Sequence, residues 1–357
     1  MEISIPWRVQ KASYLVFQYA KSLLSALLFI LKKGESISFY PNYHQATTGA
    51  TIAIACIANQ LADKHKVDSY VTRQSGFSKQ FSIHVRQRFN AKQLSGRIVF
   101  VDMEQENKAV EALLAAGKIV ILTCHALPEH LHAVPQDKVI RNLDMVTYIH
   151  FVSEAQRKEF IQHYPQLCIE EKSFYIPNYT RQSEKCLFSG NVGVIGYLSR
   201  PDKNAIKAIE LGQQSKAKSI QCWGSEEIHG LEPNHEFDKL HINGWSHSVP
   251  KMHDSFDVLI STSKFETFGL VVAEALSAGI PCVVSDIPPF RSLYADCVGV
   301  AILTGDREKD VKTINEFIQN APQLKQPIID FWNKNFSSEI IKQMWLEQIE
   351  TILSKES

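Results

Sequence analysis

The segment SKFETFGLVVAEALSAGIPCVVSDIPP, Ser263 to Pro289, holds two glutamates, Glu266 and Glu274, on either side of Phe268-Gly269. The apolar run FDVLISTS just before it reads as a strand, which puts Glu266 in the loop at the strand's carboxyl end. Gly269 permits close backbone approach and marks a helix start, and LVVAEALSA reads as a helix stopped by Gly279 and Pro281. The start of such a helix offers unpaired N–H groups at Gly269, Leu270 and Val271 together with the positive end of the dipole, a combination that suits phosphate. Glu274 can accept two hydrogen bonds from a vicinal diol. Glu266, on the other side of the phosphate position, can hold sugar hydroxyls. A strand tip, a phosphate cradle and two flanking acids describe a nucleotide-sugar site. Spacing alone carries little weight, because Glu308/Glu316 and Glu339/Glu347 share it and read as solvated helix faces.

These residues need a scaffold. Short β-branched runs (ESISFYP, GRIVFVD, KIVILTCH, VTYIHFVS, SFYIPN) alternate with helical stretches such as ATIAIACIANQLADKH, QENKAVEALLAAG and EAQRKEFIQHY. After the polar segment YTRQSEKCLFSGN a second series begins: VGVIGYLS, SIQCWG, LHINGW, FDVLISTS, IPCVVSD and VGVAIL. Strand–helix alternation is the pattern of a parallel sheet covered on both faces. The reading is two doubly wound α/β domains, 1–180 and 181–330, with a cleft between them. A C-terminal helical segment, 331–357, could pack back on the first domain, and helix is expected from about Pro327 to Leu353. Ligands of open parallel sheets collect at the carboxyl ends of the strands, where Glu266 falls.

Composition narrows the classes. A chain of 357 residues exceeds what one core usually supports, so two domains are expected. Lys+Arg 38 against Asp+Glu 38 leaves no global field for nucleic acid. The seven cysteines lack C-x-x-C spacing, which argues against a disulfide framework or zinc site and for a reducing compartment, the cytoplasm. The histidines show no ligand spacing, and no metal or other cofactor is expected. Asp102 and Glu104, in VDMEQ, form a weak acidic pair in the wrong context for a metal site. The apolar segment 14–33 is too short in its uninterrupted part to span a bilayer. Three readings stand for it: a helix on the protein's own core, a signal anchor, or an interfacial helix whose basic residues (Arg8, Lys11, Lys21, Lys32, Lys33) meet headgroups at the inner face of the membrane.

The string ETFGLVVAEALSAGIPCVVSD after an apolar strand beginning at Asp257 resembles the donor-binding motif of family 4 retaining glycosyltransferases. INGWSHSVPKMHDSFDVLISTSKFETFG and VGVIGYLSRPDKN are similar to that family's second-domain elements. NYHQATTGATIAIACIANQLADKHKV, KIVILTCH and MVTYIHFVSEAQRKEF resemble those of its first domain. The resemblance implies the GT-B architecture, two Rossmann-like domains with an interdomain cleft. It also implies a metal-independent retaining transfer from a UDP-, GDP- or dTDP-linked sugar to a glycan or lipid-linked acceptor of the cell envelope. In that scheme Glu266 contacts the donor sugar and Glu274 the ribose. The segment Phe268-Gly269-Leu270 meets the diphosphate through its backbone, and Lys203 supplies the phosphate cation. His125 lies beside the anomeric carbon. Gly196 belongs to the first phosphate loop and Gly49 to the loop opening toward the donor.

The chain departs from the family in places. Gly196 is followed by Tyr197 instead of arginine, with Arg200 nearest as a substitute. Thr48-Gly49 and Pro288-Pro289 stand where glycine pairs are usual. Trp223, Trp245 and Ser246 lie where position suggests a nucleobase. Two other readings fit the same architecture: a nucleotide-sugar epimerase, and a non-catalytic partner of another transferase.

Overall fold

The structure, a computed structural model, describes residues 20, 23–42, 44–45, 48–73, 75–232, 236–246 and 248–357. Of the apolar segment expected at 14–33, residues 14–19, 21 and 22 lie outside the described residues, as do Arg8 and Lys11; a helix, α1, covers 23–31. The chain divides into two compact units. The first holds residues up to Phe151, Ile161–Phe174 and Met344–Ser357, and the second Val152–Phe160 and Tyr175–Gln343.

The first unit is built on a seven-stranded sheet of order β3-β2-β1-β4-β5-β6-β7. Its strands are β1 (Ser36–Tyr40), β2 (Lys66–Tyr70), β3 (Val85–Arg88), β4 (Ile98–Asp102), β5 (Ile119–Cys124), β6 (Tyr148–Phe151) and β7 (Ser173–Tyr175). The pairings from β3 through β6 are all parallel. The apolar runs IVFVD and IVILTC are buried along their whole length, as strands covered on both faces must be. Helices α2 (Gly49–Leu61), α3 (Asn107–Ala115), α4 (Gln136–Met145) and α5 (Glu154–His163) connect them.

Two strands escaped the sequence reading because their sequences are polar. Lys-Val-Asp-Ser-Tyr forms β2 around Asp68, which is fully buried. Ser38 Oγ and Ser95 Oγ donate to its carboxylate, and Arg88 Nε lies 3.5 Å away on β3. Burial pushes the Asp68 carboxyl up, and these partners pull it back. The partners come from β1, β3 and the approach to β4, so periodicity within β2 gives no sign of them.

The second unit carries a six-stranded parallel sheet of order β10-β9-β8-β11-β12-β13. The strands are β8 (Val192–Gly196), β9 (Ile220–Gly224), β10 (Leu240–Ile242), β11 (Val258–Ser261), β12 (Cys282–Val284) and β13 (Val300–Ile302). Leu259 packs into one apolar cluster and Val258 and Ile260 into another, so β11 is buried on both faces. The helices are α6 (Ala205–Gln214), α7 (Val249–Asp254), α8 (Leu270–Ser277), α9 (Pro288–Tyr294) and α10 (Arg307–Phe336); a last helix, α11 (Ser338–Lys355), belongs to the first unit from Met344 onward.

The C-terminal helix expected to begin near Pro327 starts at Arg307 instead and carries Pro322 and Pro327 in its interior. Interior prolines cost about 3 kcal/mol each, but Ile314, Ala321, Ile328, Trp332 and Phe336 bury the helix against the unit. The break falls at Ser337, and α11 brings Trp345 edge-on to Phe100, His150 and Phe174 in the first unit's core.

The polar segment before β8 is pinned to the second unit. Lys185 is 1% exposed; its ammonium donates to the carbonyls of His253 and Phe256 and pairs with Asp257 Oδ1 at 3.0 Å. Asp257 also accepts from the backbone of Ser189 and Gly190, so the aspartate that opens the β11 segment is a structural clasp.

Candidate active site

The site grows from the end of β11. Thr262 Oγ1 donates to the Asn204 carbonyl at 2.8 Å, and the Lys264 N–H donates to the Asp202 carbonyl at 2.8 Å. These two bonds hold the loop carrying Lys203 against the loop carrying Glu266. Asn204 makes the turn into α6 with φ +50°, a left-handed conformation that asparagine tolerates. Lys203 Nζ then donates to Glu266 Oε1 at 2.6 Å, with 19% and 15% of the side chains exposed. From the other end of the loop, Ser153 Oγ donates to the Thr267 carbonyl at 2.8 Å.

Gly269 sits at the turn into α8 with φ +81°. A Cβ there would overlap the Phe290 ring, so only glycine fits on both counts. Phe268, 1% exposed, points into the core against Tyr294 and Phe336, leaving its backbone as the part that could meet a ligand. Tyr294 Oη donates to the Phe268 carbonyl at 2.8 Å. Burial and the nearby Glu266 and Glu274 carboxylates hold that phenol far above its usual range. α9 thus forms the floor under the tip of α8. Among the described residues, no acceptor lies against the N–H groups of Gly269, Leu270 and Val271. These are the orphan donors that any helix start leaves.

Glu274 stands on α8, half-buried, with no hydrogen-bond partner for its carboxylate among the described residues. Desolvation pushes it up from 4.5 to about 7. A carboxyl left this way gains on meeting hydroxyl donors, because it recovers the hydrogen bonds that burial removed.

The expected residues divide into three groups. Lys203, Glu266, Gly269, Leu270 and Glu274 stand on or beside the β11–α8 loop. Gly196 lies at the tip of β8 with φ +140° and open space around it, while a Cβ on Gly224 would run into the Gly196 carbonyl, so the β8 and β9 tips approach closely. Arg200 is 57% exposed and forms a two-pronged pair with Asp202, at 2.9 and 2.8 Å. In this state its charge is spent on a neighbour. His125 and Gly49 belong to the first unit. Burial lowers His125 to about 4, which keeps it neutral at pH 7, and Gly49 opens α2 behind a Thr48–Thr51 capping box. Trp223 is tied to Ser255 through its indole N–H at 2.9 Å, whereas Trp245 packs edge-on to Tyr197, and both of that pair are more than half exposed.

Thr262, Asn204, Ser153 and Tyr294 were missed. Their roles are hydrogen bonds between segments far apart in sequence, and no local pattern announces them. A cavity of about 410 Å³ lies by the start of α6, between Asn204, Lys207, Glu210 and Arg307, and includes neither Glu266 nor Glu274. Among the described residues no group of three or more His, Cys, Asp or Glu is placed to hold a metal ion. Asp102 is buried and raised to about 6, and the Asn42 N–H donates to it.

The two parallel-sheet α/β units have the GT-B fold. Residues 212–329 match the model of the family described as glycosyl transferases group 1. Over 90 residues the chain is 26% identical to the lipopolysaccharide core biosynthesis mannosyltransferase LpsB of Rhizobium meliloti, covering 24% of this chain and 26% of that one. The chain therefore spans about a quarter of the length of the curated relative it matches. A crystal structure of Anabaena Alr3699/HepE in complex with UDP-glucose is similar at a TM-score of 0.68 and 16% identity, over 88% of this chain and 99% of that one. The apo form of the lipopolysaccharide outer core galactosyltransferase WaaB gives 0.65 and 15%, over 88% and 99%. Sucrose-phosphate synthase from Thermosynechococcus elongatus gives 0.70 and 11%, over 90% and 100%.

Proposed function

We propose that the protein is a retaining glycosyltransferase that moves a sugar from a nucleoside-diphosphate donor to a glycan or lipid-linked acceptor in cell-envelope synthesis. The observation that carries this reading is the Lys203–Glu266 pair fixed beside the open start of α8, with the desolvated Glu274 on the same helix. The family match over residues 212–329 supports the reaction class. The similarity to LpsB and WaaB, both named as lipopolysaccharide core enzymes, supports an envelope acceptor.

In this reading the diphosphate lies against the N–H groups of Gly269 and Leu270, with Lys203 beside it. Glu266 grips hexose hydroxyls and Glu274 the ribose diol. The bond between the anomeric carbon and the diphosphate oxygen breaks, and negative charge grows on the departing phosphate. Fixed donors meet that charge without reorganisation. The acceptor oxygen bonds to the anomeric carbon from the same face, and its proton passes to the departing phosphate oxygen. Configuration is retained with no covalent enzyme intermediate, and the chemistry as drawn needs no metal. Neither glutamate acts as nucleophile; Glu266 remains engaged by Lys203 until the sugar arrives. Arg200 would join only by leaving Asp202. His125, in the first unit, is held neutral by burial and brings no charge. The seven cysteines, none bridged to another, are consistent with work in the cytoplasm.

The test is incubation of the purified protein with UDP-, GDP- and dTDP-sugars. Slow donor hydrolysis without acceptor supports a transferase. Conversion of the sugar to an epimer supports the isomerase reading. Absence of binding to every donor supports a non-catalytic role.

A further inference from the structure

Helix α1 is built inside out. Its one polar residue in 23–31, Ser25, is 6% exposed and donates to the Val85 carbonyl on the sheet's edge strand β3 at 3.1 Å. Phe29 holds the same strand through Arg86, whose guanidinium carbon lies 5.4 Å from the ring centre. Leu23, Leu24, Leu27, Ile30 and Leu31 face outward, each 46–67% exposed. A helix on the surface of a water-soluble domain shows the opposite pattern, with serine outside and leucines against the core. Spacings of three and four residues join these five side chains into one continuous stripe. Contiguous exposed apolar surface of this kind marks a place where something binds.

We infer that this stripe lies in the surface of an anionic lipid bilayer, with α1 parallel to the membrane plane. The nine described residues 23–31 of α1 rise about 14 Å, against a bilayer core of about 30 Å. Among the described residues no helix is long and apolar enough to cross a membrane. A helix that inserts only its apolar side needs cations at headgroup level, and Lys32 and Lys33 follow Leu31 directly. Charge elsewhere gives no general attraction to lipid, since Lys+Arg and Asp+Glu balance at 38 each. The local pair of lysines therefore selects the anionic surface. The tie to β3 through Ser25 and Arg86 sets which side of the first unit faces the bilayer.

Vesicle flotation of the full-length protein tests this, using phosphatidylcholine alone and phosphatidylcholine with about 30% phosphatidylglycerol. The wild type should float with the mixed vesicles and less with the neutral ones. Leu27→Glu with Ile30→Glu should reduce the floating fraction at least about tenfold, and Lys32→Glu with Lys33→Glu should abolish the preference for the anionic mixture. Both stripe residues are already half or more exposed, and a thermal melt checks the fold. If the double glutamate fails to fold, Ile30→Ser, at a side chain 66% exposed, takes its place with a smaller loss. Equal flotation of wild type and stripe variants, or no flotation of the wild type, overturns the inference. So does a wild type that stays off vesicles as a dimer and becomes monomeric in the stripe variant, since a second copy then covers the stripe.

Discussion

Lys203 and Glu266, 63 positions apart in sequence, meet at 2.6 Å because two hydrogen bonds clamp their loops together. The pair leaves an ammonium and a carboxylate, both mostly shielded from water, beside the open start of α8. The proposed reaction uses them separately: the ammonium for the departing phosphate, the carboxylate for the sugar.

Lys203→Ala should lower turnover at least about tenfold, which corresponds to about 1.4 kcal/mol of barrier. It removes one cation from the growing phosphate charge and leaves Glu266 half-buried without its partner. Steady-state kinetics on the purified variant measure this, and unchanged kinetics would remove Lys203 from the role.

Glu274 gives the protein a pH signature. Its carboxyl is raised from 4.5 to about 7 in the folded chain, so between those values the folded state holds a proton that the unfolded state releases. Stability from this group is therefore greatest below pH 4.5, falls as pH rises toward 7, and is level above it. Glu274→Gln keeps the shape and cannot ionise. Thermal melts between pH 5 and 8 should show the wild type losing more stability with rising pH than the variant. Parallel slopes would mean that Glu274 is not desolvated.

Gly269→Ala should destabilise the protein by at least about 1 kcal/mol, the cost of a side chain in left-handed backbone. The collision with Phe290 adds to it and displaces the start of α8. Urea titration reads the stability, and donor titration reads the displacement as weaker binding. An alanine variant with wild-type values in both would show that this turn is not fixed by Phe290.

Lys185→Met tests the clasp under the site. Removing one member of a buried ion pair costs about 3–5 kcal/mol, because Asp257 keeps its charge with the Ser189 and Gly190 N–H groups and the Ser189 hydroxyl but no cation. Urea unfolding should show the loss. A variant as stable as the wild type would make the pair a bystander.

Much of the scaffold was legible from local pattern alone. The buried runs IVFVD, IVILTC and VLIS are continuous apolar strands, and the Gly269 start of α8 is written in the chain next to Glu266. What stayed hidden depends on partners elsewhere. β2 is a strand because Ser38, Ser95 and Arg88 satisfy Asp68. α10 runs through Pro322 and Pro327 because packing at Ile328, Trp332 and Phe336 outweighs two missing N–H donors. At the site, residue types pointed to Lys203, Glu266 and Glu274. The bond that joins the first two, the desolvation of the third and the engagement of Arg200 by Asp202 exist only in three dimensions.

Calorimetric titration with UDP, GDP and dTDP, run on the wild type, Lys203→Ala and Glu274→Ala, tests the central claim most directly. At least one nucleotide should bind the wild type, and each substitution should weaken that binding by about tenfold or more, about 1.4 kcal/mol. Binding that both variants keep at full strength, or no binding by the wild type to any of the three, would contradict a diphosphate held at the start of α8.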